Sequence, residues 1–138
     1  VIVGVGIDII EIGRIHKAIK RPAFVKRVFT VTEQKYCDSR GVHTAASYAA
    51  RFAGKEAVLK AFGTGLSGGS LQDIEIINDT LGCPNVILSG YYADLARKMG
   101  VKKVHISLTH SREYAAAQAV LWGGEESENS NCRRNAEN

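Results

Sequence analysis

Residues 44–62, TAASYAARFAGKEAVLKAF, constrain the fold more than any other stretch of this chain. Alanine is the strongest helix former and loses no side-chain entropy on ordering, so the segment predicts one long helix, and Gly63 is placed to end it in a left-handed cap. The rest of the chain must arrange itself around that helix. Residues 1–10 alternate as a strand, with Val3, Val5, Ile7 and Ile9 on one face. Gly4, Gly6 and Asp8 share the other, flanked by Ile2 and Ile10, and glycines beside an acid leave room for a ligand or a neighbouring element to approach. Ile12, Ile15 and Ile19 predict a helix over 11–20, which Pro22 ends or redirects. A second helical stretch is expected over 22–29, and Thr30 with Glu33 forms a capping-box pattern that starts a third.

GTGLSGGS at 63–70 is too glycine-rich to be regular and predicts a loop. Residues 71–77 and 86–89 are expected as hairpin strands around a turn at 78–82, and 91–99 as a helix. VHISLTH at 104–110 and EYAAAQAVL at 113–121 are expected as two last strands. The second of these is helical by propensity alone, but a turn at Ser111-Arg112 precedes it and the sheet needs a partner. The order β-ααα-ββ-α-ββ predicts an α+β fold, an antiparallel sheet packed on a long central helix. One catalytic domain is expected over 1–122, with the polar, patternless stretch 123–138 expected as a disordered tail.

Composition narrows the function classes. With 138 residues, 45% hydrophobic and 23% charged, the chain has the make-up of one soluble globular domain. No apolar run approaches the ~20 residues needed to span a bilayer, so no membrane association is expected. VIVGVGIDII has neither a basic n-region nor a small-residue cleavage site, so no signal peptide is expected, and the location read from the sequence is cytoplasmic. Cys37, Cys83 and Cys132 form no CxxC pair and are odd in number, which disfavours a disulfide framework or a zinc site and favours reduced thiols. The net charge of +4 is local: Arg14, Lys17, Lys20, Arg21, Lys26 and Arg27 occur with no acid between them. Arg14, Lys17 and Arg21 follow helical spacing on one face, which could dock an acidic partner, although such a run is also an ordinary solvated face. Aromatics are scarce there and no nucleic-acid motif is present, so nucleic acid is not the expected partner.

Two acids stand in apolar settings. Glu56 shares a helix face with Ala45, Ala49, Phe52 and Leu59, so its carboxylate must be paired or bound. Lys60, at i+4, would supply a purely structural ion pair. Asp8 ends an apolar strand and would serve equally as a helix cap. Taken together, one carboxylate from a strand and one from a helix, with no His or Cys cluster, form a hard-cation arrangement suited to magnesium completed by water and substrate phosphates. Lys55, Lys60 and the backbone N–H groups of Gly63-Thr64-Gly65 are candidates for phosphate, against the simpler reading of a glycine helix stop. His110 at a strand end is a further candidate for phosphate contact or proton transfer. GxxxxGK[ST] is absent, so the loop is not a P-loop.

GIDIIEIGRI at 6–15, RFAGKEAVLKAFGTG at 51–65, LQDIEI at 71–76 and SLTHSREYAAAQAV at 107–120, in this order and spacing, resemble the short, bacterial-type phosphopantetheinyl transferases, the holo-[acyl-carrier-protein] synthase group. The resemblance covers roughly residues 1–121. It implies magnesium at Asp8 and Glu56, and a catalytic set of Asp8, Glu56 and Lys60. It implies coenzyme A along Arg51, Lys60, Gly63, Thr64, Gly65, Thr109 and His110, and an acidic acyl carrier protein docked on Arg14, Lys17 and Arg21. It also implies a homotrimer with active sites between subunits. The implied reaction moves 4'-phosphopantetheine from coenzyme A to a carrier-protein serine, releases adenosine 3',5'-bisphosphate and supports fatty acid biosynthesis. Glu56 or a metal-bound water would take the serine proton. Gly54 departs from the family pattern, which usually has a small helix former there, and the stretch after Leu121 has no counterpart. The competing readings are a non-catalytic module that binds an acidic protein or nucleic acid, and a coenzyme-A enzyme of another type.

Overall fold

The structure is a computed structural model, and it describes residues 1–66 and 68–124. The expected tail therefore lies, from residue 125 onward, outside the described residues. The elements run β1 (Ile2–Glu11), α1 (Ile12–Ala18), α2 (Pro22–Val28), α3 (Val31–Asp38), α4 (Thr44–Phe62), β2 (Ile74–Asn78), β3 (Pro84–Leu88), α5 (Gly90–Met99), β4 (Lys103–His110) and β5 (Tyr114–Trp122). Short 3-10 turns occupy Gly41–His43 and Leu71–Asp73. The last of these corrects the expected strand start: Ser70 and Asp73 form a capping box, so 71–73 coil and β2 begins at Ile74. The predicted box at Thr30 and Glu33 is present and opens α3.

Helix α4 covers the predicted residues, and Gly63 ends it at φ +79°, its N–H donating to the carbonyls of Leu59 and Lys60. Strands β1, β5 and β4 form an antiparallel sheet in that order, while β2 and β3 form a separate antiparallel hairpin. The alanines that made β5 look helical explain the packing: Ala115, Ala117 and Ala119 are buried on the sheet face toward the core. Two glycines of β1 go further. A Cβ on Gly6 would lie 1.9 Å from the Ala57 carbonyl oxygen, and one on Gly4 would lie 2.1 Å from that of Ala61. The room left by these glycines is thus filled by the backbone of α4. Gly54 serves a similar end, since a Cβ there would meet Ile76 at 2.6 Å and Leu108 at 3.0 Å.

Among the described residues the core contains one charged pair. Lys55 and Glu33 are fully buried, 2.8 Å apart. The Lys55 ammonium also donates to the carbonyls of Leu71 and Ile74, while Glu33 accepts from the Thr30 and Ile76 N–H groups. Among the described residues no buried side-chain nitrogen or oxygen lacks a hydrogen-bond partner, and α3, α4 and β2 are tied together. Cys37 is a free buried thiol whose pKa burial pushes up to about 12. Cys83 is disulfide-bonded, which corrects the expectation of reduced thiols at that position. The opposite sheet face is open: Val5, Ile7 and Ile9 are 54%, 67% and 66% exposed. No helix among the described residues is long and apolar enough to cross a membrane.

Candidate active site

Packing β1 against α4 brings Asp8 beside the face that carries Glu56 and Lys60. The Lys60 ammonium sits 2.9 Å from Asp8 Oδ1 and donates also to the Ile7 carbonyl. The two structural readings of the acids fail. Glu11, with no side-chain cap hydrogen bond, holds the N-cap position of α1, so Asp8 is not a cap. Lys60 turns to Asp8 and leaves Glu56 with no hydrogen bond or ion pair among the described residues. Burial, then repulsion from Asp8, pushes the Glu56 carboxyl above the usual carboxylate range, opposed by Lys60. A half-buried carboxylate in that state is stabilised by a cation.

Asp8 and Glu56 line one cleft of about 470 Å³, together with Glu11, Arg14, Phe52 and Tyr114. That size accommodates a small phosphorylated ligand. Glu56 also borders a second cleft formed by Lys60, Gly63, Gly65 and Leu66. On its other side the first cleft runs into a groove that shares Ile10, Glu11, Arg14 and Phe52 with it. Arg14, Lys17 and Arg21 all line this groove, over a floor that includes Ile15 and Phe24. Helix α1 ends at Ala18, so Arg21 comes from the N-cap position of α2 and not from a continuous helix, yet the three cations still lie along one groove. Lys55, by contrast, is spent in the core and is removed from the phosphate candidates.

The remaining candidates are elsewhere. Arg51 and His110 line a separate cavity with Tyr36, Arg40 and His43. The Arg51 guanidinium stacks on the Tyr36 ring at 4.2 Å and donates to the Ile76 carbonyl and Asn78 Oδ1. The His43 and His110 rings lie 6.4 Å apart. Arg40 and His43 escaped the sequence reading because they belong to no motif; tertiary contact alone gathers these side chains. Thr109, exposed and adjacent to His110, points to the opposite face of β4. Arg51 and Lys60 are about two and a half turns apart on α4, so they project from opposite sides of the helix. In one chain, the expected coenzyme-A residues are therefore split between two clefts, and Thr109 lines neither.

Among the described residues no group of three or more His, Cys, Asp or Glu side chains converges. Two carboxylates, with no soft ligand, fit a magnesium ion that takes its other ligands from water and phosphate, and fit zinc poorly.

Known proteins resemble this chain in sequence and fold. The holo-[acyl-carrier-protein] synthase of Moorella thermoacetica is 51% identical over 117 residues, covering 84% of this chain and 91% of the relative. A holo-(acyl-carrier-protein) synthase from Bacillus anthracis, solved in complex with CoA (3',5'-ADP), superposes with a TM-score of 0.75 at 40% identity, over 89% of this chain and 98% of that one. The Neisseria meningitidis holo-[acyl-carrier-protein] synthase superposes with a TM-score of 0.81 at 31% identity, over 88% and 99%. The family model described as the 4'-phosphopantetheinyl transferase superfamily matches residues 4–119, and the chain belongs to that superfamily.

Proposed function

We propose that this protein transfers the 4'-phosphopantetheine group of coenzyme A to a serine of an apo acyl carrier protein, giving the holo carrier and adenosine 3',5'-bisphosphate, in support of fatty acid biosynthesis. The observation that carries the reading is the pairing of Asp8 with an unpartnered Glu56 in one cleft, in a chain of this superfamily. Asp8 and Glu56 would hold Mg2+, which when bound supplies charge neutralisation at the pyrophosphate. Lys60 exchanges its hold on Asp8 for the coenzyme's phosphates, adding a second positive charge beside the bond that breaks. The Gly63-Thr64-Gly65 loop closes that side of the site. The cationic groove at Arg14, Lys17 and Arg21 takes the acidic carrier protein and opens into the carboxylate cleft, so a serine presented there reaches the phosphorus in one track. Both substrates are water-soluble, and a cytoplasmic location goes with that reading.

Arg51 and His110 complete the coenzyme site from a second copy. In one chain the two halves face away from each other across α4, whereas neighbouring copies in a ring can each supply one half. The open apolar face of Val5, Ile7 and Ile9 supports self-association, and a homotrimer with sites between subunits is the assembly we assign.

The test is direct. Incubated with coenzyme A, Mg2+ and an apo acyl carrier protein, the protein should add the phosphopantetheine mass to the carrier, and a chelator should stop it. A carrier that a known transferase modifies but this protein leaves unchanged refutes the reading.

A further inference from the structure

Tyr92 is the largest fully buried side chain of the fold, and the transfer reaction as derived makes no use of it. It comes from the first turn of α5 and packs on Phe62 and Tyr91, with ring centroids 5.8 Å and 5.1 Å away. Its hydroxyl donates to the Gly65 carbonyl at 3.1 Å. The Thr64 hydroxyl approaches the same oxygen at 3.4 Å. Both tyrosine rings also press on the far end of the loop: a Cβ on Gly69 would lie 2.6 Å from the Tyr92 ring, and one on Gly68 would lie 2.5 Å from that of Tyr91.

The orientation of that carbonyl decides what the loop offers a ligand. All described peptide bonds are trans, so the Gly65 carbonyl and the Leu66 N–H point in opposite directions from one peptide plane. With the oxygen turned toward Tyr92, the N–H is turned away from the core. Leu66 lines the cleft with Glu56 and Lys60, and its N–H makes no hydrogen bond with any described residue. A flipped peptide would present a carbonyl oxygen there and repel an anion.

We propose that Tyr92 is a positioning residue: by holding the Gly65 carbonyl inward, it aims the Leu66 N–H at the phosphates of coenzyme A. This rests on the reading that the loop at 63–65 meets those phosphates. Two measurements test it. In 15N-labelled wild-type protein, titration with coenzyme A should shift the Leu66 amide resonance in the direction of a new hydrogen bond. In Tyr92→Phe, which keeps the ring, Kd and KM for coenzyme A should rise about three- to tenfold, the effect of one lost oriented hydrogen bond. KM for the carrier protein and Tm should stay near wild type, a split that a purely structural role does not produce. An unmoved Leu66 amide overturns the proposal and needs no variant, so it stands as a test even where the variant fails to fold. Coenzyme A affinity within twofold of wild type overturns it too, as do parallel rises in both KM values. A wild-type protein that binds coenzyme A but transfers nothing refutes the proposed function alone, because the Tyr92 role is then read from binding.

Discussion

Replacing Gly6 with alanine adds one methyl group between β1 and α4. The new Cβ would stand 1.9 Å from the Ala57 carbonyl oxygen, 2.7 Å from the Ala61 nitrogen and 2.9 Å from the Ala57 carbonyl carbon. All three are backbone atoms, so no rotamer change relieves the overlap. The helix or the strand must retreat by about 1.1 Å to restore even the 3.0 Å that real Cβ contacts do not undercut. Overpacking in a tight core costs about 1–3 kcal/mol, and a clash against backbone belongs at the top of that range. Reduced unfolded-state entropy returns about 0.4–1 kcal/mol, leaving a net loss of about 2 kcal/mol. Gly13 is the control, because a Cβ there meets nothing within 4 Å. Gly13→Ala should be neutral or stabilising by up to about 1 kcal/mol in urea unfolding monitored by circular dichroism. The same displacement reaches the candidate active site, since Asp8 follows Gly6 by two residues and Glu56 precedes Ala57. A misplacement near 1 Å costs on the order of 10²-fold in rate, so Gly6→Ala should lose turnover beyond its loss of stability. A variant within about 0.5 kcal/mol of wild type and fully active would refute the claim that backbone contact sets the Asp8–Glu56 geometry.

Glu56→Gln should keep the fold and abolish magnesium-dependent transfer. Because the folded protein binds the Glu56 proton more tightly than the unfolded chain does, metal-free stability should fall as pH rises through the ordinary carboxylate range to the raised folded pKa, then level off. Chemical denaturation across pH should show that slope in wild type and not in the variant, and its persistence in the variant would clear Glu56 of causing it. Lys55→Met strands the buried Glu33 carboxylate and should cost about 3–5 kcal/mol in urea unfolding, whereas a loss below 1 kcal/mol would contradict the buried pair. Arg14→Glu should raise KM for the carrier protein more than KM for coenzyme A, and equal effects would argue against docking in the groove. Ile7→Lys should dissociate the oligomer in sedimentation velocity, with transfer activity falling in step, while a protein already monomeric would refute the assembly assigned to the open sheet face.

Local sequence sufficed wherever one segment's own chemistry decided its conformation. The alanines of 44–62 and Gly63 wrote the central helix and its end, alternation wrote β1, and Thr30 with Glu33 wrote a cap. The motif set at 6–15, 51–65, 71–76 and 107–120 carried the family, because its order and spacing survive without coordinates. Residue type and periodicity made Asp8 and Glu56 suspicious but left each with a structural alternative. Tertiary structure removed those alternatives by sending Lys60 across to Asp8, a choice between two acids that no helical spacing contains. It also separated Lys55 from Lys60. Both are lysines beside Glu56 in sequence, but a step of five residues is about 1.4 turns of helix, which turns one into the core and the other toward the cleft. It divided Arg51 from Lys60 by about two and a half turns of α4, set His110 beside Arg51 from β4, and gathered Arg40, His43 and Tyr92 from segments without a motif. The sequence by itself determined most of the elements and the family, and singled out the two acids, because those depend on neighbours along the chain. Which cation serves which carboxylate, and which face of α4 each residue occupies, depends on groups far apart in sequence that meet only when β1 closes on α4 through Gly4 and Gly6.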